Sequence, residues 1–141
     1  MGNCISNYYL KKQSNELPIH SLKGNIYKAK IVDIYDGDTC TAVFYQYGKF
    51  RKYKIRMNGY DSPEMKPSLK KENRLIEIEN AKEAKLQIEN KILNKIVTLE
   101  CGDFDKYGRL LGTIYINKLN VNNWMIENNY GYVYNGGTKK I

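Results

Sequence analysis

Cysteine is scarce in this chain. It has three, Cys4, Cys40 and Cys101, in 141 residues. The count is odd and no C-x-x-C spacing occurs, which argues against a disulfide framework and against a zinc site. Cys40 and Cys101 sit in strand-like runs and read as small core residues. Long apolar runs are also missing. Mean hydropathy is −0.62, and nothing approaches the roughly 20 apolar residues of a membrane-spanning helix. Residues 1–25 hold no apolar stretch long enough for a secretory leader. With the thiol pattern, this predicts a reducing, intracellular (cytoplasmic) setting. No internal repeat or low-complexity segment is visible. Phe and Trp are few, 3 and 1, whereas Tyr numbers 13.

Acidic residues are the minority charge: 15 Asp and Glu face 23 Lys and Arg, for a formal net charge of +8. Such a domain favours polyanions, either nucleic acid or an acidic membrane surface. Tyrosine packs by its ring and still reaches water or a base. The length fits one domain with its own core.

Residues 1–21 are polar and aperiodic and read as a tail, with the folded domain starting near Leu22. Alternation predicts strands over Asn25–Tyr35, Thr39–Tyr47 and Lys49–Met57, joined by turns at Asp36-Gly37 and Gly48. Residues 65–73 read as a basic surface loop. A helix is predicted from Arg74 to Asn94, with Ile78, Ala81, Ala84, Ile88 and Ile92 as its apolar stripe. Strands follow over Ile96–Cys101 and Leu110–Ile116. A short helix over Asn120–Asn128 carries Val121, Trp124 and Met125 inward, and a last strand runs Gly131–Tyr134. A meander, a helix and two more strands suit an α+β chain built on a five-stranded OB-fold barrel, with a helix after strand three and a short C-terminal helix.

Charge concentrates at three turns: Asp36-Gly37-Asp38-Thr39, then Arg56 to Glu64 (RMNGYDSPE), then Asp105-Lys106-Tyr107-Gly108-Arg109. Singly, each reads as an ordinary turn, or as a helix start at Ser62-Pro63-Glu64. In order, with the intervening elements, they resemble the staphylococcal nuclease family. That family's pattern is D-G-D-T, R-x-x-x-x-D-[TS]-P-E and D-x-Y-G-R on an OB-fold. The resemblance spans roughly residues 26–137, and Ser62 stands where Thr is more usual. The family's founding member continues into a further helix, which predicts a cost in stability rather than in catalysis.

The resemblance implies a Ca²⁺-dependent endonuclease. It would hydrolyse phosphodiester bonds of DNA, and also of RNA, with little sequence preference, leaving 3′-phosphate and 5′-hydroxyl ends. Asp38, Asp61 and the carbonyl of Ser62 would hold Ca²⁺, whose hard character suits oxygen ligands. Asp36 would lie just outside that set. Glu64 would be the general base, and Arg56 and Arg109 the phosphate clamps. Lys106, Tyr107, Tyr132 and Tyr134 would contact nucleotide. Lys49, Arg51, Lys52, Lys54, Lys70, Lys71 and Arg74 each read as solvated, but as a set they would attract phosphate. The alternative is an OB-fold nucleic-acid-binding module without catalysis. A monomer is expected.

Met1-Gly2-Asn3-Cys4-Ile5-Ser6 fits the M-G-x-x-x-[ST] acylation pattern. Myristate on Gly2 and palmitate on Cys4 would together suffice for membrane attachment.

Overall fold

The computed structural model describes residues 6–133. Gly2, Cys4 and Tyr134, and the glycine pair at 136–137, lie outside the described residues. A short helix, α1 (Asn7–Lys11), comes first among the described residues, inside the stretch expected to be an aperiodic tail, and residues 6–21 are exposed. Leu22 is the first buried residue among those described.

Strands β1 (Ile26–Asp36), β2 (Thr39–Gln46) and β3 (Lys49–Met57) form the expected meander. The turn at Tyr47-Gly48 has φ of 51° and 82°. Two left-handed residues between Gln46 and Lys49 make the tight turn that matches strand twist. After a two-residue strand, β4 (Tyr60–Asp61), and a loop comes α2 (Arg74–Ile92). β5 (Ile96–Phe104) and β6 (Leu110–Ile116) follow. Then come β7 (Leu119–Asn120), α3 (Val121–Glu127) and β8 (Tyr132–Val133).

The sheet runs β3-β2-β1-β5-β6, and a parallel pairing of β3 with β6 closes it into a five-stranded barrel. Closure is short: Ile55–Met57 of β3 beside Leu110–Gly112 of β6. Inward-pointing residues of alternating strands fill the barrel, among them Ile31, Ala42, Phe44, Ile55, Leu99 and Ile114. Cys40 and Cys101 are buried free thiols in this core, and burial pushes the Cys40 thiol up to about 12. A thiol held that far from ionisation is structural rather than reactive.

Helix α2 has no Gly or Pro inside it and ends where Asn94 turns left-handed, φ 61°. Its buried stripe differs from the expected one at the first position. Glu77, not Ile78, is buried with Ala81, Ala84, Ile88 and Ile92. The steps 77, 81, 84, 88 and 92 keep helical phase, and the stripe's first turn abuts polar loop rather than apolar barrel. In α3, Val121 and Met125 are buried as expected. Trp124 is only half-buried, against Tyr130 and beneath the ammonium of Lys91. β8 falls within the predicted last strand at 131–134, whereas its partner β4 and the strand β7 were not anticipated. The β6–β7 turn uses left-handed Asn117 and Lys118, which carry no glycine signal.

Candidate active site

The Asp36–Thr39 turn, β4 and the loop after it meet at one end of the barrel. What allows their approach is Gly37. A Cβ there would lie 2.7 Å from Cβ of Ser62 and 3.0 Å from Cβ of Ala84. Its φ is not left-handed, so close packing rather than turn conformation demands glycine. The Gly37 carbonyl accepts a 2.7 Å hydrogen bond from the hydroxyl of Tyr60, whose ring is fully buried. Gly131 lies against that ring: a Cβ there would sit 2.4 Å from Tyr60 Cδ2.

Asp38 stands at the centre. Its Oδ1 accepts from Thr39 Oγ1 at 2.9 Å, and its Oδ2 from the Ser62 amide at 2.8 Å. Oδ2 also lies 3.4 Å from Nη2 of Arg56. The same Nη2 bonds Asp61 Oδ1, while Nη1 donates to the carbonyls of Met57 and Tyr60 at 2.7 and 2.8 Å. Exposure of the three side chains is 12%, 10% and 15% for Arg56, Asp38 and Asp61, so their charges interact through little water. Burial works to raise the Asp38 pKa, but the Arg56 charge and the hydrogen bonds from Asp36, Ser62 and Thr39 outweigh it. The carboxyl ends below its ordinary range. Asp36 goes the other way: burial and then the neighbouring Asp38 charge raise it to about 6. It accepts from the Asp38 amide at 3.0 Å and so shapes the turn.

The third motif builds a separate clamp. Asp105 Oδ1 accepts from the amides of Tyr107 and Arg109, each at 2.9 Å, and Oδ2 accepts from Arg109 Nε at 2.8 Å. The guanidinium also lies 5.4 Å from the Tyr107 ring centre, and Lys106 Nζ lies 5.2 Å from it. Arg109 directly precedes β6 and alternates in phase with Leu111, the register partner of Arg56. The two arginines therefore occupy the same face of adjoining strands, one alternation apart.

Glu64 is exposed, on the loop after β4. Its amide donates at 3.0 Å to Oε2 of buried Glu77, whose Oε1 bonds Lys71 Nζ. Tyr132 pairs directly with Asp61 across β4–β8, which places it beside the carboxylates. The structure thus brings Asp38, Arg56, Asp61, Ser62 and Tyr132 together and sets Arg109 with Lys106 and Tyr107 in the turn that leads into β6. Sequence reasoning missed Tyr60 and Glu77. Tyr60 lay inside a motif as an unassigned position. Glu77 carried a usable signal, a carboxylate in phase with the buried stripe.

Asp38 and Asp61 converge on one positive nitrogen. A convergence of two dehydrated carboxylates suits a cation, and hard oxygen donors fit Ca²⁺. Among the described residues no cluster of three or more His, Cys, Asp or Glu is close enough to hold a metal. The carboxylate donors here are this pair, so main-chain oxygen, water and substrate would complete the coordination.

A closed OB-fold barrel whose mouth joins acidic oxygens to guanidinium groups defines a class of domain fitted to phosphate esters. The chain belongs to the staphylococcal nuclease homologue family, whose profile matches residues 54–140. It is 33% identical over 84 residues to the probable staphylococcal-like nuclease CAN2 of Oryza sativa subsp. japonica, covering 58% of this chain and 19% of that protein. To the probable staphylococcal-like nuclease CAN3 of the same plant it is 32% identical over the same length and shares. To an uncharacterized 38.1 kDa protein of Capnoides sempervirens it is 30% identical over 90 residues, 64% of this chain and 23% of that one. The chain thus spans about a fifth of the length of these curated relatives. The family match begins after the first motif, and the contacts of Asp38 with Arg56 and Ser62 tie that turn to the matched region.

Proposed function

We propose that this domain is a Ca²⁺-dependent endonuclease that hydrolyses phosphodiester bonds of DNA, and of RNA, with little sequence preference. The observation that carries this reading is the convergence of Asp38 and Asp61 on Arg56 at the barrel mouth. The names of the rice relatives, both nucleases, favour the same class.

Asp38, Asp61 and the Ser62 carbonyl would hold the ion. Bound there, Ca²⁺ would polarise a phosphoryl oxygen as a Lewis acid. Glu64 takes a proton from water as its oxygen bonds to phosphorus. The bond from phosphorus to the 5′ oxygen breaks, leaving a 3′-phosphate and, after proton uptake, a 5′-hydroxyl. Arg56 and Arg109 stabilise the charge that grows on the non-bridging oxygens. A guanidinium keeps its protons throughout, so their part is electrostatic. Tyr107, Tyr132 and Lys106 line the approach to the substrate.

The test is cleavage of labelled single- and double-stranded DNA and of RNA, with Ca²⁺ and with chelator, by wild type and Glu64→Ala. The expectation is turnover lost with chelator and lowered at least a hundredfold by the substitution, the scale of general-base catalysis. Binding without turnover in Ca²⁺ would instead make the domain a non-catalytic binding module.

A further inference from the structure

β3 pairs with β6 only over Ile55–Met57. Residues 49–54 therefore project past the barrel closure, paired with β2 in a hairpin arm. The arm is braced from within. Tyr27, Phe44 and Tyr53 stack with ring centres 4.3 and 4.9 Å apart. Buried Gln46 links Tyr27 and Tyr53 through their hydroxyls. The outer face is thereby held in place.

That outer face leads into the site. In β3 the alternation that sends Arg56 to the carboxylates sends Lys54, Lys52 and Phe50 to the same side. Lys52 and Lys54 are exposed. At the far end Phe50 is cross-strand partner to Tyr45. The rings meet edge-on at 5.3 Å, yet remain 74% and 59% exposed. An aromatic pair left this open on a rigid arm invites a stacking ligand. Six residues at roughly 3.4 Å each put Phe50 about 20 Å from Arg56. The row thus offers an aromatic platform, two ammonium groups and then a guanidinium. Two acids border this face one strand removed from the row, exposed Asp33 opposite Thr41 and Asp36 opposite Thr39 at the Arg56 end.

We propose that the outer face of β3 is an extended binding path for single-stranded nucleic acid, carrying a strand from a base-stacking platform at Tyr45 and Phe50, over Lys52 and Lys54, into the site at Arg56. The chemistry selects a single strand. A duplex turns its bases inward, whereas an unpaired base offers its flat face to a ring. The length suits roughly four nucleotides, the lower end of OB-fold sites. The inference deepens the nuclease reading and rests on it for the direction of the path.

The experiment measures anisotropy of a fluorescent oligothymidylate of about 12 nucleotides in chelator, over a salt series. It also measures steady-state cleavage in Ca²⁺. The proteins are full-chain wild type, Tyr45→Ala/Phe50→Ala and Lys52→Gln/Lys54→Gln. All four side chains are exposed, and unchanged melting temperatures verify folding. The aromatic variant should bind the single strand about tenfold more weakly, raise KM for it and leave cleavage of a trinucleotide unchanged. The lysine variant should flatten the slope of log affinity against log salt by about 1.4, two phosphates' worth. Single-strand binding unchanged in both variants overturns the path, as does an equal loss on a blunt duplex. An inactive wild type that still shows these binding losses refutes the nuclease reading and leaves the path standing.

Discussion

Asp105 shows how much one side chain can organise. It accepts two backbone amides and the Nε of Arg109, so it folds its turn and aims the guanidinium at once. Burial tends to raise its pKa, but the bonds from Arg109 and Tyr107 prevail and hold the carboxyl below 3.8. A group whose folded pKa is depressed stabilises the fold above its unfolded pKa. That stability is lost as pH falls through the folded value. Asp105→Ala should therefore cost about 1–3 kcal/mol at neutral pH and progressively less below pH 3.8, which denaturant melts across pH will measure. Turnover should fall with it, because Arg109 loses its partner. An unaltered kcat would mean that Arg109 needs no such support.

At the scale of elements, α2 does more than cover the barrel. Its first turn inserts Glu77, which holds the Glu64 amide and the Lys71 ammonium. The helix thus anchors both ends of the loop that carries the proposed base. Glu77→Ala should lower kcat on the order of ten- to a hundredfold, as small misplacements of catalytic groups do, with KM little changed. Glu77→Gln retains an acceptor for the Glu64 amide and should recover part of the rate. Equal loss in both variants would assign Glu77 to stability alone. Here the sequence was legible in its periodicity but not in its detail. The helix and its phase follow from spacing. A charged residue at the head of an apolar stripe becomes intelligible only when the loop it meets is known.

For the molecule as a whole, closure of the barrel is the decisive event. It brings Asp38, from the β1–β2 turn, to residues of β3 and β4 and sets Arg109 beside them. The resulting acidic pair is dehydrated, and one guanidinium offsets only one of its two negative charges. A cation that binds only the folded state raises stability by about 2.7 kcal/mol at a hundredfold excess over its Kd. Thermal melts should accordingly rise with Ca²⁺, return with chelator, and lose the increment in Asp61→Asn. Melts indifferent to Ca²⁺ at millimolar levels would remove this pair as the ion's site. Charge acts at the same scale: a formal net charge of +8 draws polyanions from every direction, but only the fold gives that attraction a path.

The sequence alone determined the main elements, because strand alternation and turn chemistry are local, and the three charged turns in order carried the resemblance from which the barrel and the family were expected. It also named Asp38, Arg56, Asp61, Glu64 and Arg109 as the residues of interest. The tertiary structure alone decided who touches whom. Asp38 and Asp61 share one nitrogen of Arg56, Gly37 is glycine because Ser62 and Ala84 crowd it, and Tyr132 stands opposite Asp61. Such contacts join segments far apart in the chain, and their geometry depends on barrel closure and helix packing, which no local pattern encodes.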